Sequence, residues 1–340
     1  MITIDGSQGE GGGQVLRSAL ALALVTGRAF TITKIRAGRK KPGLMRQHLT
    51  AVRAAATVGQ AQVSSATLGS TELVFEPGAV RPGEYHFAVG TAGSATLVLQ
   101  TVLPALLCAG KATTLRLEGG THNPWAPPFD FLVKTFLPLV NRMGPTVEAT
   151  LVRPGFYPAG GGEFHVCITP AAKLEPIELL ERGETRRVMA TAQIAHLSRN
   201  IAERELGVIA RKLGVPPHDL VVAQVKGSRG PGNVVTIEAV CEHVTEVFTG
   251  FGELRVSAEA VAERVTAEAR RYLSKRVAVG EYLTDQLLIP LALAGGGAFR
   301  SLGLSRHAQT NIEVIKAFLD VEFVVDHDEG RPGCVVRVRR

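Results

Sequence analysis

Gly9-Glu10-Gly11-Gly12-Gly13-Gln14-Val15-Leu16-Arg17-Ser18-Ala19-Leu20-Ala21-Leu22-Ala23-Leu24 is the stretch on which the fold of this chain turns. Its glycines crowd into a turn. The apolar run behind them puts Leu16, Leu20, Ala23 and Leu24 on one face at helical spacing. A similar unit starts at Gly90 and runs through Gly93-Ser94-Ala95-Thr96-Leu97-Val98-Leu99-Gln100 to Leu103, and another starts at Gly280 and runs through Tyr282-Leu283-Thr284-Asp285-Gln286-Leu287 to Leu291. After the first two helices come strands rich in β-branched residues, at 30–35 and 113–117. Each strand ends in a glycine and polar turn, and a second helix follows, at 43–58 and 128–143. Strand, helix, strand, helix, repeated, predicts stacked α/β units with helices packed on sheets.

Residues 184–276 break this rhythm. The pattern predicts a strand over 187–194 and a helix over 201–213, ended by Gly214 ahead of Pro216-Pro217. Three strands follow, at 220–225, 234–240 and 246–251, and Ser257 caps a charged helix over 258–273. The expected organisation is a repeat domain made of 1–183 and 277–340, with 184–276 inserted as a small α/β domain.

A chain of 340 residues, 45% apolar, is long enough for two domains around real cores. Cys108, Cys167, Cys241 and Cys334 lie far apart with no C-x-x-C pair, which argues against a structural zinc site or a disulfide framework and for a reducing, cytoplasmic compartment. No apolar run approaches the ~20 residues that span a bilayer, so no membrane partner is expected. The net charge of +7 favours polyanionic partners, nucleic acid foremost. Oligomeric state leaves no mark on the sequence.

Four segments carry candidate chemistry. In the first, glycines before a helix let backbone N–H groups approach an anion, Glu10 stands where a metal ion or a triphosphate can reach it, and Arg17 lies one turn into the helix. A plain glycine turn explains that spacing equally well. In the second, Arg36, Arg39, Lys40, Lys41 and Arg46 gather at a strand-to-helix corner, with Pro42 suited to opening the helix. Arginines so close repel one another unless an anion joins them. His48 shares a face with Leu44, Ala51 and Ala55, where a packed core histidine is the commoner outcome. The third, around Trp125-Ala126-Pro127-Pro128-Phe129-Asp130-Phe131, has the stiffness to clamp a flat base, although an ordinary helix-entry loop is the commoner case. In the fourth, His307 precedes a helix whose dipole holds an imidazole neutral and nucleophilic; a capping or surface histidine is again the commoner fate.

Several ATP-handling and hydrolytic signatures are missing. There is no G-x-x-x-x-G-K-[ST], no K-x-D-G, no H-E-x-x-H and no G-x-S-x-G. Taken in order, Gly9-Glu10-Gly11-Gly12-Gly13-Gln14, Ile35-Arg36-Ala37-Gly38-Arg39, Pro42-Gly43-Leu44, Arg46-Gln47-His48-Leu49-Thr50-Ala51-Val52, Gly155-Phe156-Tyr157-Pro158-Ala159-Gly160-Gly161-Gly162 and Val279-Gly280-Glu281-Tyr282-Leu283-Thr284-Asp285-Gln286-Leu287 resemble the RNA 3′-terminal phosphate cyclase family over the whole chain. The resemblance implies repeated βαβαβ-type units similar to the C-terminal domain of translation initiation factor three, with a smaller inserted α/β domain. It implies an ATP-dependent enzyme that converts the 3′-phosphate of an RNA to a 2′,3′-cyclic phosphate through a histidine–AMP intermediate and an RNA-adenylate. Carried over by position, His307 is the nucleophile and Glu10 the ligand for Mg²⁺ or Mn²⁺. Arg17, Arg36, Arg39, Gln47 and His48 hold phosphates, and Gln100 lies near the nucleotide. Pro127, Phe131 and Tyr282 flank the adenine, and Asp285 and Gln286 meet the nucleoside side. The alternative is a non-catalytic, cyclase-like ribosomal RNA processing factor, a branch that lacks the histidine.

Overall fold

The computed structural model describes residues 1–327, 330 and 332–340. It resolves the rhythm of the sequence into three copies of one four-stranded, two-helix unit, the second helix being broken in two in the second copy. The first runs β1 (Ile2–Asp5), α1 (Gly13–Thr26), β2 (Phe30–Thr33), α2 (Arg46–Gly59), β3 (Gln62–Ser64) and β4 (Leu73–Glu76), with strand order β1-β2-β4-β3. In the second come β5 (Glu84–Ala88), α3 (Ala95–Leu106), β6 (Thr113–Gly119), α4 (Phe129–Phe131), α5 (Leu137–Asn141), β7 (Thr146–Arg153) and β8 (Gly162–Thr169), in the order β5-β6-β8-β7. In each, the first two strands are parallel and the remaining pairings antiparallel. The unit is therefore βαβαββ, one strand longer than the βαβαβ expectation.

The third copy is split. β9 (Glu178–Leu179) pairs in parallel with a strand more than a hundred residues later. Between them lie β10 (Thr185–Ala195), α6 (Arg199–Leu213), β11 (Leu220–Gln224), β12 (Gly232–Cys241), β13 (Thr245–Phe251) and α7 (Ala258–Leu273), which build a separate sheet, β11-β10-β12-β13. This sheet covers its own apolar cluster, including Ile194, Leu206, Ile209, Ile237, Val265 and Tyr272. The third unit then resumes with α8 (Glu281–Ala294), β14 (Gly296–Ser301), α9 (Arg306–Phe318), β15 (Glu322–Asp326) and β16 (Cys334–Arg339), in the order β9-β14-β16-β15. A two-residue strand has no periodicity to read, so β9 escaped the sequence pattern.

α1 is the hub. It packs on α2, α3 and α9, and ten of its residues are buried, which is why it is apolar nearly all round. One apolar cluster joins all three units through Leu16, Leu20, Val52, Val98, Leu287 and Ile315. Serines start the helices that matter for the site: Ser94 accepts from the N–H of Leu97, and Ser305 from that of Ala308, each at 3.2 Å.

Two expectations are corrected. Pro42 does not open α2, which begins at Arg46. The intervening loop is tied down instead: Arg36 Nη1 donates to the carbonyls of Lys41 at 2.7 Å and Gly43 at 2.8 Å. The helix expected over 128–143 is not uniform, because a π-turn over Leu132–Phe136 separates α4 from α5. Pro138, lacking an N–H, cannot satisfy a carbonyl one turn back, and a widened turn is one way to accommodate it.

Candidate active site

The glycine turn ends at α1, and the second and fourth candidate segments close around it. Gly12 and Gly13 have no side chain because there is no room for one. A Cβ on Gly12 would meet the Glu10 carboxylate and Arg39, and a Cβ on Gly13 would lie 2.4 Å from His48 Nε2 and 3.1 Å from Arg17 Nη1. The N-terminus of α1 thus faces a shell made of Glu10, Arg17, Arg39 and His48. Arg39 pairs directly with the Glu10 carboxylate.

His48 is buried, and its Nδ1 accepts the backbone N–H of Met45 at 3.2 Å. Burial, reinforced by Arg17 and Arg36, pushes its pKa down to about 3. It is therefore a neutral imidazole whose Nε2 carries the hydrogen and points at Gly13: a donor to an anion, without charge of its own. Gln47, one residue earlier, accepts the N–H of Ser94 at 3.0 Å and so joins the α2 corner to the start of α3.

His307 stands in the first turn of α9, with about half of its side chain exposed. Its pKa is lowered first by burial and then by Arg39 and Arg17, against Asp285. Its Nδ1 lies 2.9 Å from Gln14 Oε1, and its Nε2 lies 3.7 Å from Glu10 Oε1. The orientation of Gln14 is settled by its other partner. Gln14 Nε2 sits 2.5 Å from Asp285 Oδ1, and a carboxylate only accepts, so Oε1 must face His307. An amide oxygen also only accepts, hence Nδ1 carries the proton and Nε2 keeps its lone pair, turned toward the glycine turn. Asn311 Nδ2 donates to the same Asp285 oxygen at 2.9 Å, and Ser18 donates to Asn311 Oδ1 at 2.7 Å. Burial raises the Asp285 pKa, and these two amide donors oppose the rise.

A cavity beside this relay is lined by Gln14, Arg17, Gln100, Phe136, Asp285 and Gln286, among others. Arg17 Nε donates to Gln100 Oε1 at 3.4 Å, and burial lowers its pKa only to about 10, so the guanidinium stays charged at neutral pH. Pro127, Phe131 and Tyr282 do not line that cavity. The Pro127 carbonyl accepts from Thr96, Phe131 is buried in the core, and Tyr282 stands exposed at the start of α8. Arg36 spends one of its nitrogens on the loop carbonyls already described. Among the described residues, no group of three or more His, Cys, Asp or Glu side chains is placed to hold a metal ion.

Gln14, Ser18 and Asn311 were not among the residues singled out from the sequence as site residues. Their signal was present, because Gln14 and Ser18 are polar positions one helical turn apart in a run of leucine and alanine. That they meet Asp285 and Asn311 is visible only in three dimensions. The arrangement holds a neutral imidazole with one free lone pair above a glycine-led helix start flanked by Arg17 and Arg39, a geometry that suits displacement at phosphorus.

The family model described as RNA 3′-terminal phosphate cyclase matches residues 8–325. An RNA 3′-terminal phosphate cyclase from Koribacter versatilis is 54% identical over 97% of this chain and 93% of its own length. One from Ralstonia nicotianae is 52% identical over 99% of this chain and 96% of its own, and one from Salmonella agona is 50% identical over 95% and 93%. Among solved structures, the enolpyruvyl transferase NikO from Streptomyces tendae superposes with a TM-score of 0.39 at 12% identity, over 96% of this chain and 46% of that one, too distant a likeness to bear on fold or activity. With this match along nearly its full length, the chain belongs to the RNA 3′-terminal phosphate cyclase family.

Proposed function

We propose that this chain is an ATP-dependent cyclase acting on RNA that ends in a 3′-phosphate, with His307 as its nucleophile. The observation that carries the reading is the Asp285–Gln14–His307 relay, which leaves the Nε2 lone pair facing the turn that binds anions.

In the first step Nε2 attacks the α-phosphorus of ATP. The bond to pyrophosphate breaks as the N–P bond forms, and positive charge on the imidazole is met by Gln14 and, behind it, Asp285. In the second, an oxygen of the RNA 3′-phosphate attacks the same phosphorus, the N–P bond breaks and His307 regains its lone pair. In the third, the neighbouring 2′-hydroxyl attacks the terminal phosphorus of the RNA, loses its proton, and expels AMP as the cyclic phosphate closes. The detour has a reason: a phosphate monoester would have to expel oxide, whereas the adenylylated form expels AMP. Arg17 and Arg39 with the N–H of neutral His48 hold phosphate oxygens, and Gln47 braces the corner. Arg36 shapes the loop that presents Arg39. Gln100, Asp285 and Gln286 border the nucleotide, and Pro127 and Tyr282, from outside the cavity, its base; Phe131, buried in the core, is closed to it.

Glu10 fits a Mg²⁺ or Mn²⁺ ion arriving with the nucleotide, since such ions are held by one or two carboxylates plus substrate phosphates. Bound there, the ion would neutralise phosphate charge. We assign 184–276 as an inserted domain, and the free cysteines support a cytoplasmic setting. No described helix is long and apolar enough to cross a membrane. The non-catalytic alternative is disfavoured by the presence and orientation of His307.

The test is incubation with α-labelled ATP and Mg²⁺ or Mn²⁺. The protein should take up label, His307→Ala should take up none, and the labelled peptide should contain His307. Labelling of His307→Ala at the wild-type level would refute the assignment.

A further inference from the structure

The sequence has one tryptophan, and the fold leaves it in water. Trp125 is 91% exposed and holds a left-handed backbone, φ 63°. Both features cost stability in a residue of this size. The loop around it is not slack. Thr121 and His122 are buried and donate their N–H groups to the carbonyl of Gly155, Asn123 donates to the carbonyl of Ala92 at 2.5 Å, and His122 Nε2 lies 2.9 Å from Asp130 Oδ2. A rigid loop thus presents a bare indole.

Beside it, the loop after β7 presents Tyr157, 59% exposed, with a bridge from Phe156 to His122 joining the two loops. The loop between β11 and β12 of the inserted unit packs on that second loop, Gly232 against the Phe156 ring and Gly230 against Ala159. It brings Arg229 over Gly161, with Lys226 nearby in sequence. Both cations are exposed, and neither has an ion-pair partner among the described residues. At its other end the tryptophan loop reaches the phosphate corner: the Pro127 carbonyl accepts from Thr96, Thr96 bonds Ser94, and the Ser94 N–H donates to Gln47.

We infer that this strip binds the single-stranded segment of RNA leading up to the 3′ end, with a base stacked on Trp125, the next carried toward Tyr157, and phosphates met by Arg229 and Lys226. Exposed aromatic faces alternating with unpaired cations are what a single strand requires, since every base has a π-face and every linkage a charge. The inserted unit thereby contributes to substrate binding. The inference rests on the cyclase reading for the identity of its ligand.

Because Trp125 is the sole tryptophan, its emission reports on this loop alone. Titration with a single-stranded oligoribonucleotide carrying a 3′-phosphate, without ATP, should quench it. Trp125→Ala should weaken binding of that oligonucleotide at least ~5-fold and raise KM rather than lower kcat, with Trp125→Phe recovering part of the loss. Lys226→Ala with Arg229→Ala should lower the slope of log affinity against log salt by roughly 1.4. Emission that ignores the oligonucleotide but responds to ATP would make Trp125 a nucleotide contact and overturn the inference. So would emission that changes only with protein concentration, the mark of a second copy seated there, or unaltered oligonucleotide binding by Trp125→Ala. Quenching by RNA in a wild-type protein that takes no label from ATP would keep the strip and sink the cyclase reading.

Discussion

Gln14 and Asp285, 271 positions apart, meet through a 2.5 Å hydrogen bond that decides which nitrogen of His307 carries a proton. The bond runs from α1 to α8, helices of the first and third units, and His307 is on α9. The proposed nucleophile is oriented where two repeat copies touch.

Gln14→Ala removes the acceptor on Nδ1 and frees the imidazole to rotate and change tautomer. The rate of labelling by α-labelled ATP in a single turnover should fall on the order of 100-fold. A rate within twofold of wild type would show that tautomer control by Gln14 has no part in the reaction.

Gly13→Ala places a methyl 2.4 Å from His48 Nε2. His48 is buried and cannot retreat, so the added methyl must deform the start of α1, where phosphate is expected. ATP affinity, followed by titration, should drop at least ~10-fold, while Tm changes by only a few degrees. Unchanged affinity would mean that anions bind elsewhere.

His48 should stay neutral across the working pH range, its pKa being pushed to about 3 from an ordinary 6.5. The unfolded chain takes up a proton below about 6.5 that the folded chain refuses, so this histidine makes stability fall as pH drops from 6.5 toward 3. In NMR its ring resonances should not titrate between pH 5 and 8. A midpoint near 6.5 would contradict the buried, neutral role, in which Nδ1 accepts from Met45 and Nε2 donates.

Glu246 on β13 is 2% exposed and accepts the N–H of Gly280, at the head of α8, at 3.0 Å. Burial lifts its pKa from 4.5 to about 8. Between those values the unfolded carboxyl is ionised while the folded one keeps its proton, so its contribution is full below 4.5 and is lost as pH rises to 8. Glu246→Gln cannot ionise, and its Tm advantage over wild type should grow from pH 5 to pH 8, reaching ~2 °C or more. A difference that is flat with pH would overturn this.

Local pattern was enough to announce the repeat. Glycine turns followed by apolar helices, β-branched strands and the break after residue 183 are all nearest-neighbour signals, and Ser257, Gly214 and the strands of the inserted unit stand where spacing and capping chemistry put them. The cationic corner was legible too, since charge is readable in one dimension, whereas the role proposed for His307 came from the family resemblance and not from its spacing before a helix. β9, two residues long, had no period to show, and the loop before α2 is held by a side-chain clamp from Arg36 onto the carbonyls of Lys41 and Gly43 that no propensity encodes. The relay through Gln14, Asn311 and Asp285 was equally silent, because buried polar groups choose partners by proximity across the core and only the tertiary fold sets that proximity. Residue types along the chain determined which chemistry was available; packing of three repeat copies around α1 decided which atoms face one another.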